Sequence, residues 1–133
     1  MAFVLDASVS AVWALADESS PVADIAADRM KDEFALVPPL WWYEVRSLLV
    51  INERRLRTTE QDSAHYLELL SLFPIHIDTI EDDQIIFQLA RKYRLSFYDA
   101  AYLAVAQRNR APLATIDKEL RNAAIAADIS LLA

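Results

Sequence analysis

The sequence predicts an α/β protein, a three-layer α/β/α fold around a short central parallel sheet of about five strands. Five short apolar segments punctuate the chain: Ala2–Leu5, Ala35–Val37, Ile75–Ile77, Leu113–Thr115 and Ser130–Leu132. Between them lie longer segments whose apolar residues recur at three- and four-residue steps. The strand candidates are short apolar runs, the pattern of strands covered on both faces. Strands that alternate with helices join in parallel through crossovers. At 133 residues, with no linker, repeat or low-complexity tract, the chain fits one domain spanning 1–133.

Phe3–Leu5 runs directly into Asp6, which is followed by hydroxyls at Ser8 and Ser10. Ser20 before Pro21 places a cap and a first-turn proline at the head of a helix through Met30. Pro38 and Pro39 separate the second strand from a helix over Glu44–Arg55, with Trp41, Val45, Leu48 and Leu49 facing the core. Thr58 or Thr59, backed by Glu60 and Asp62, opens the next helix, carried by Ala64, Leu67, Leu70 and Leu72. Thr79 with Glu81, Asp82 and Asp83 opens another, carried by Ile85, Ile86, Leu89 and Ala90. Ser96, three residues before Asp99, reads as a capping box for a helix over Phe97–Arg108, and Asp117 opens a last helix toward Ala127. The chain has no glycine, so turns that need positive φ fall to other residues, with Asn109, Asn122 and Asp128 the expected substitutes.

Composition narrows the function classes. The absence of cysteine excludes disulfides, zinc–thiolate sites and a thiol nucleophile, and fits a reducing compartment. No segment approaches the roughly 18–20 apolar residues of a membrane span, and Met1–Leu5 lacks the features of a signal peptide. The expectation is a cytoplasmic protein with no membrane partner. The formal charge of −7 counts, by itself, against a nucleic-acid binder. The charge is uneven, however: acids crowd Asp17–Glu33, while Arg54, Arg55 and Arg57, then Arg91, Lys92 and Arg94, then Arg108 and Arg110 form basic groups. Acids gathered around a divalent cation are also neutralised locally. His65 and His76 fall inside a helix and a strand and are read as structural.

Four carboxylates, Asp6, Glu44, Asp99 and Asp117, stand where an apolar run ends or a helix begins. Parallel strands end on one edge of their sheet, so acids at these places can converge there. Two have ordinary structural explanations: Glu44 suits the positive end of a helix, and Asp117 suits an N-cap. Asp99, in SFYDAAYLAVA, is harder to explain in that way, because an ionised group among apolar neighbours needs a partner. Clustered oxygen donors suit Mg²⁺ or Mn²⁺. Asp6, Ser8 and Ser10 also spell DxSxS, the pattern of a metal-dependent adhesion module that binds without turnover.

VLDASV, PPLWWYEVRSLL, LSFYDAAYLAVA and LATIDKELRNAA, in that order, resemble the PIN-domain ribonucleases, in particular the VapC toxins of bacterial toxin–antitoxin pairs. The resemblance spans essentially the whole chain. It implies catalytic, metal-binding acids at Asp6, Glu44, Asp99 and Asp117, with Asp6 and Asp99 innermost, and supporting hydroxyls at Ser8 and Thr115. It further implies a Mg²⁺ (or Mn²⁺) cofactor and hydrolysis of RNA phosphodiester bonds. The implied partners are a cognate VapB-like antitoxin and a second copy of the chain in a homodimer. A PIN-type nuclease of RNA maturation or decay is the alternative reading. Trp13, Trp41, Trp42 and Tyr43 are expected in a protein interface or the core in preference to stacking bases. The tail NAAIAADISLLA carries Ala and Asp where relatives often place a glycine before the last strand.

Overall fold

The computed structural model describes all residues, Met1–Ala133. Four parallel strands, β1 (Ala2–Leu5), β2 (Phe34–Val37), β3 (Ile75–Ile77) and β4 (Leu113–Ala114), form one sheet in the order β3-β2-β1-β4. The chain first builds outward from β1 through β2 to β3, then crosses back to add β4 on the other side of β1. Such a reversal opens a crevice beyond the carboxyl ends of β1 and β4, where ligands bind in folds of this kind. The fifth predicted segment joins the sheet at a single residue, Leu131 bridging Leu113, with Leu113 N–H donating to Ser130 O and Leu132 N–H to Leu113 O at 2.9 Å each. β4 ends at Ala114, so its edge offers room for little more.

Seven helices flank the sheet: α1 (Ala7–Ala14), α2 (Pro21–Arg29), α3 (Leu40–Arg54), α4 (Glu60–Leu70), α5 (Asp83–Tyr93), α6 (Phe97–Asn109) and α7 (Lys118–Ala126). α1 packs on α2, α3 and α4, and α6 packs on α5 and α7. The sequence does not announce α1, because ASVSAVWA has no polar face to give its period contrast. α3 begins at Leu40, directly after Pro39, and so includes the turn ahead of Glu44. α6 is buried without a break from Ala100 to Ala106, its alanines letting it lie close against the sheet and the neighbouring helices. Its Tyr102, with Phe3, Leu5, Leu103 and Leu113, is among the largest fully buried side chains of a 33-residue apolar cluster.

Three of the expected side-chain caps form, whereas Ser20 stands at the N-cap position of α2 without a side-chain bond. Thr59 accepts from Asp62 N–H at 3.1 Å, Ser96 from Asp99 N–H at 3.1 Å, and Asp117 from Leu120 N–H at 2.9 Å. Only half of the capping box at Ser96 is made, and the Asp99 carboxylate faces a cleft instead. Thr79 does not cap α5. Asp78 already holds Ile80 N–H in a turn at 3.0 Å, and Asp82 takes the cap, accepting from Ile85 N–H at 3.2 Å. The positive-φ residues are Leu56, Arg94, Arg110 and Asp128. Asp128 is as expected, at the turn before the last segment. Asn109 and Asn122 are instead helical, Asn109 donating to Asp78 Oδ2 at 2.9 Å and to Val105 O at 2.8 Å. Position relative to a helix end sets these sites: Leu56 closes α3 with Leu56 N–H to Glu53 O at 3.0 Å and Arg57 N–H to Asn52 O at 2.9 Å. Without glycine, each left-handed residue costs about 1 kcal/mol.

Trp41 belongs to the core, and Trp13 packs edge-on against Phe73 while its Nε1–H donates to Ala23 O at 3.0 Å. Trp42 and Tyr43 remain exposed. His65 is exposed on α4, and His76 stacks on Phe34 at 4.8 Å. No helix is long and apolar enough to cross a membrane.

Candidate active site

Asp6 directly follows β1 and stands at the N-cap position of α1, its backbone extended and its N–H bonded to Ala114 O at 3.0 Å. That bond ties the end of β1 to the end of β4 and brings Asp6 beside Thr115. Asp6 Oδ2 accepts from Ser8 Oγ at 2.6 Å and from Thr115 Oγ1 at 2.7 Å. Thr115 Oγ1 in turn accepts from Asp117 N–H at 3.0 Å, so one hydroxyl sets both acids. Asp117 uses Oδ1 to cap α7. Ser10 is turned away: it is buried, its Oγ accepting from Trp41 Nε1–H at 3.0 Å and its carbonyl from the Tyr66 hydroxyl. The third position of the DxSxS pattern therefore belongs to the packing of α1 against α3 and α4.

Glu44 projects half-buried from α3, and its Oε1 accepts from the Tyr102 hydroxyl at 2.7 Å. Tyr102 lies three residues after Asp99 on α6, one helical step along the same side. A lone aromatic in an apolar run reads as plain core, and its position one step from Asp99 is the only sequence signal for its role. Asp6, Ser8, Glu44, Asp99 and Asp117 all line one cleft of about 470 Å³, with Thr115 buried behind Asp6. The six sequence-predicted site residues are thus brought together from β1, α1, α3, α6 and the segment after β4. No three acids stand as a ready-made chelating group.

At the acid end of the cleft, Asp6, Glu44 and Asp99 have no cationic partner. Burial pushes the Asp6 carboxyl up, against the lowering effect of the Ser8 and Thr115 hydroxyls, and Asp117 adds repulsion. Burial likewise raises Glu44 despite Tyr102, with Asp6 and Asp99 repelling it. Asp99 is pushed up to about 6 by burial and then by the charges of Asp117, Asp6 and Glu119. Tyr102, buried beside Asp6 and Glu44, is held far above the ordinary phenol range. No lysine or arginine relieves any of these acids. A set of buried and half-buried, all-oxygen, mutually repelling acids has the donor chemistry that suits a hard divalent cation.

The PIN domain family model matches residues 3–126. The chain belongs to the PIN-domain family. Ribonuclease VapC3 of Pyrobaculum aerophilum is 32% identical over 126 residues, a match covering 90% of this chain and 92% of that protein. Among solved structures, PAE2754 from Pyrobaculum aerophilum superposes with a TM-score of 0.70 at 22% identity, covering 92% of this chain and 84% of its own. The Mycobacterium tuberculosis VapC20, described as a toxin cleaving the sarcin–ricin loop, superposes with a TM-score of 0.60 at 13% identity, covering 91% and 94%. Both structures share the fold.

Proposed function

We propose that residues 1–133 act as a single metal-dependent endoribonuclease domain, the toxin of a type II VapBC pair. The observation that carries this reading is the convergence of Asp6, Glu44, Asp99 and Asp117 on one cleft, where burial and neighbouring acids raise Asp6, Glu44 and Asp99. The ribonuclease name of the VapC3 relative supports the substrate class. Asp6 and Asp99 are assigned as the innermost ligands, and Glu44 and Asp117 as ligands or groups that orient water. Ser8 and Thr115 fix Asp6 by occupying Oδ2, and Tyr102 fixes Glu44. When bound, Mg²⁺ or Mn²⁺ supplies Lewis acidity to the phosphodiester and lowers the pKa of attacking water. No protein nucleophile is required. The implied partners are RNA, a VapB-like antitoxin and a second copy of the chain, in the cytoplasm.

Sequencing of RNA ends after brief induction of the wild type beside Asp99→Asn tests the reading. New ends that depend on Asp99 support it, whereas identical end profiles from the two proteins would refute it. Growth arrest on expression, rescued by a small reading frame next to the gene, separates a toxin from a nuclease of RNA maturation or decay.

A further inference from the structure

The acid cleft continues past the acids along one stripe of α3, where Glu44, Ser47, Leu48, Ile51, Asn52 and Arg55 line it at helical steps. With a helical rise of 1.5 Å per residue, Glu44 and Arg55 lie about 16 Å apart along the axis. Arg55 and Arg57 line the far end, where Glu18 also lines the cleft. Arg55 is exposed and makes none of the salt bridges of the structure. Arg57 is held at the left-handed turn that ends α3, and its Nη1 donates to Asn52 Oδ1 at 2.9 Å. Its Nη2 donates to Glu18 Oε1 at 2.6 Å and to both carboxylate oxygens of Asp17, at 3.2 and 3.3 Å.

Asp17 and Glu18 come from the connection between α1 and α2, and Glu18 itself lines the cleft. Arg57 therefore already grips a fan of anionic oxygens, the arrangement a guanidinium makes with phosphate. Both carboxylates are more than one-third exposed, so the bridge is weak and exchangeable. A strand whose scissile phosphate lies at the acids and which follows the α3 stripe brings a later phosphate to the arginine pair. An acidic protein segment would meet the same pair, but the continuity with the four acids favours RNA.

We propose that Arg55 and Arg57 hold a backbone phosphate of the bound RNA a few nucleotides from the bond that is cut, with Asp17 and Glu18 occupying Arg57 until RNA displaces them. This rests on the ribonuclease reading and adds to it the far end of the substrate path. The test is fluorescence anisotropy of a labelled RNA oligonucleotide with Mg²⁺ across a salt series, in the Asp99→Asn background, paired with steady-state cleavage in the wild-type background. Arg55→Ala and Arg57→Ala each weaken RNA binding about tenfold and lower the slope of log affinity against log salt by about 1. In cleavage they raise KM far more than they lower kcat. Asp17→Asn with Glu18→Gln, which frees Arg57, tightens RNA binding. A merely structural strap would give the opposite: the Asp17→Asn, Glu18→Gln protein would bind RNA more weakly and melt earlier. That result overturns the proposal, as does unchanged affinity and salt slope in Arg55→Ala and Arg57→Ala, the outcome if the pair serves a protein partner. Wild type that binds RNA but does not cut it defeats the ribonuclease reading alone, because the affinity and salt-slope arms remain decisive for the arginine pair.

Discussion

Two carboxylates at opposite ends of α6 are treated in opposite ways. At its C-terminal end, the Asp78 side chain is nearly enclosed, accepts from Asn109 Nδ2 at 2.9 Å and Ile80 N–H at 3.0 Å, and pairs with Arg108 Nη2 at 3.0 Å. Burial pushes Asp78 up, yet these partners outweigh it and hold the group below the usual carboxylate range. At the N-terminal end, Asp99 enjoys the favourable end of the helix dipole and a neighbouring Ser96, and still rises to about 6 through burial and the charges of Asp117, Asp6 and Glu119. The difference separates two uses of a carboxylate. Asp78 is complete within the fold and fastens the β3–α5 connection to α6. Asp99 is left incomplete, which costs stability and is sustained only by the packing around it.

The comparison breaks most visibly if Asp99 is neutralised. Asp99→Asn is expected to lower metal-dependent RNA cleavage by on the order of a thousandfold or more while raising the melting temperature of metal-free protein, both read on the same preparation. A lower melting temperature would mean that Asp99 is a structural acid after all. Asp78→Ala should do the reverse: it leaves Arg108 and Asn109 without their acceptor and costs about 2–3 kcal/mol in denaturant unfolding, with kcat of the folded protein retained. Tyr102→Phe sharpens the contrast inside the cleft, lowering cleavage about 10- to 100-fold with weaker Mg²⁺ dependence curves and little loss of stability. Full activity at limiting Mg²⁺ would remove Tyr102 from the site.

The smallest effect is the pH dependence of metal-free stability. Asp99 has a folded pKa near 6, above its ordinary value of 3.8, so between these values the folded state binds more protons and stability falls as pH rises. Metal-free melting temperature should therefore increase as pH drops from 7 toward 5, and Asp99→Asn should flatten that rise. Asp78, held below its ordinary value, contributes stability above pH 3.8 that is lost only as pH falls further. A flat melting profile from pH 7 to 5 in the wild type would contradict the raised value of Asp99.

Much of this was legible in the residues. The strand positions, the caps at Thr59, Ser96 and Asp117, and the meeting of Asp6, Glu44, Asp99 and Asp117 follow from apolar runs and the geometry of parallel strands. α1 was hidden because an apolar and hydroxyl-bearing helix shows no periodic contrast. The cap of α5 was misplaced because Thr79 and Asp82 are both competent, and the choice was made by the turn at Asp78. Leu56, Arg94 and Arg110 escaped notice as left-handed residues because their place at a helix end, not their chemistry, puts them there. Tyr102 looked like core because it is core; only its hydroxyl, reaching a glutamate 58 residues away in sequence, gives it a second task.

The hydrogen bond from Thr115 to Asp6 spans 109 positions of sequence, and the sheet places the first strand between the second and the fourth. During synthesis on a ribosome, Asp6 emerges early and then waits without its hydroxyl partner, and Asp117 does not yet exist. The cleft can assemble only once the segment that carries Thr115 and Asp117 has been made. Every fragment that stops short of that segment therefore lacks both the hydroxyl that sets Asp6 and one of the four acids of the cleft.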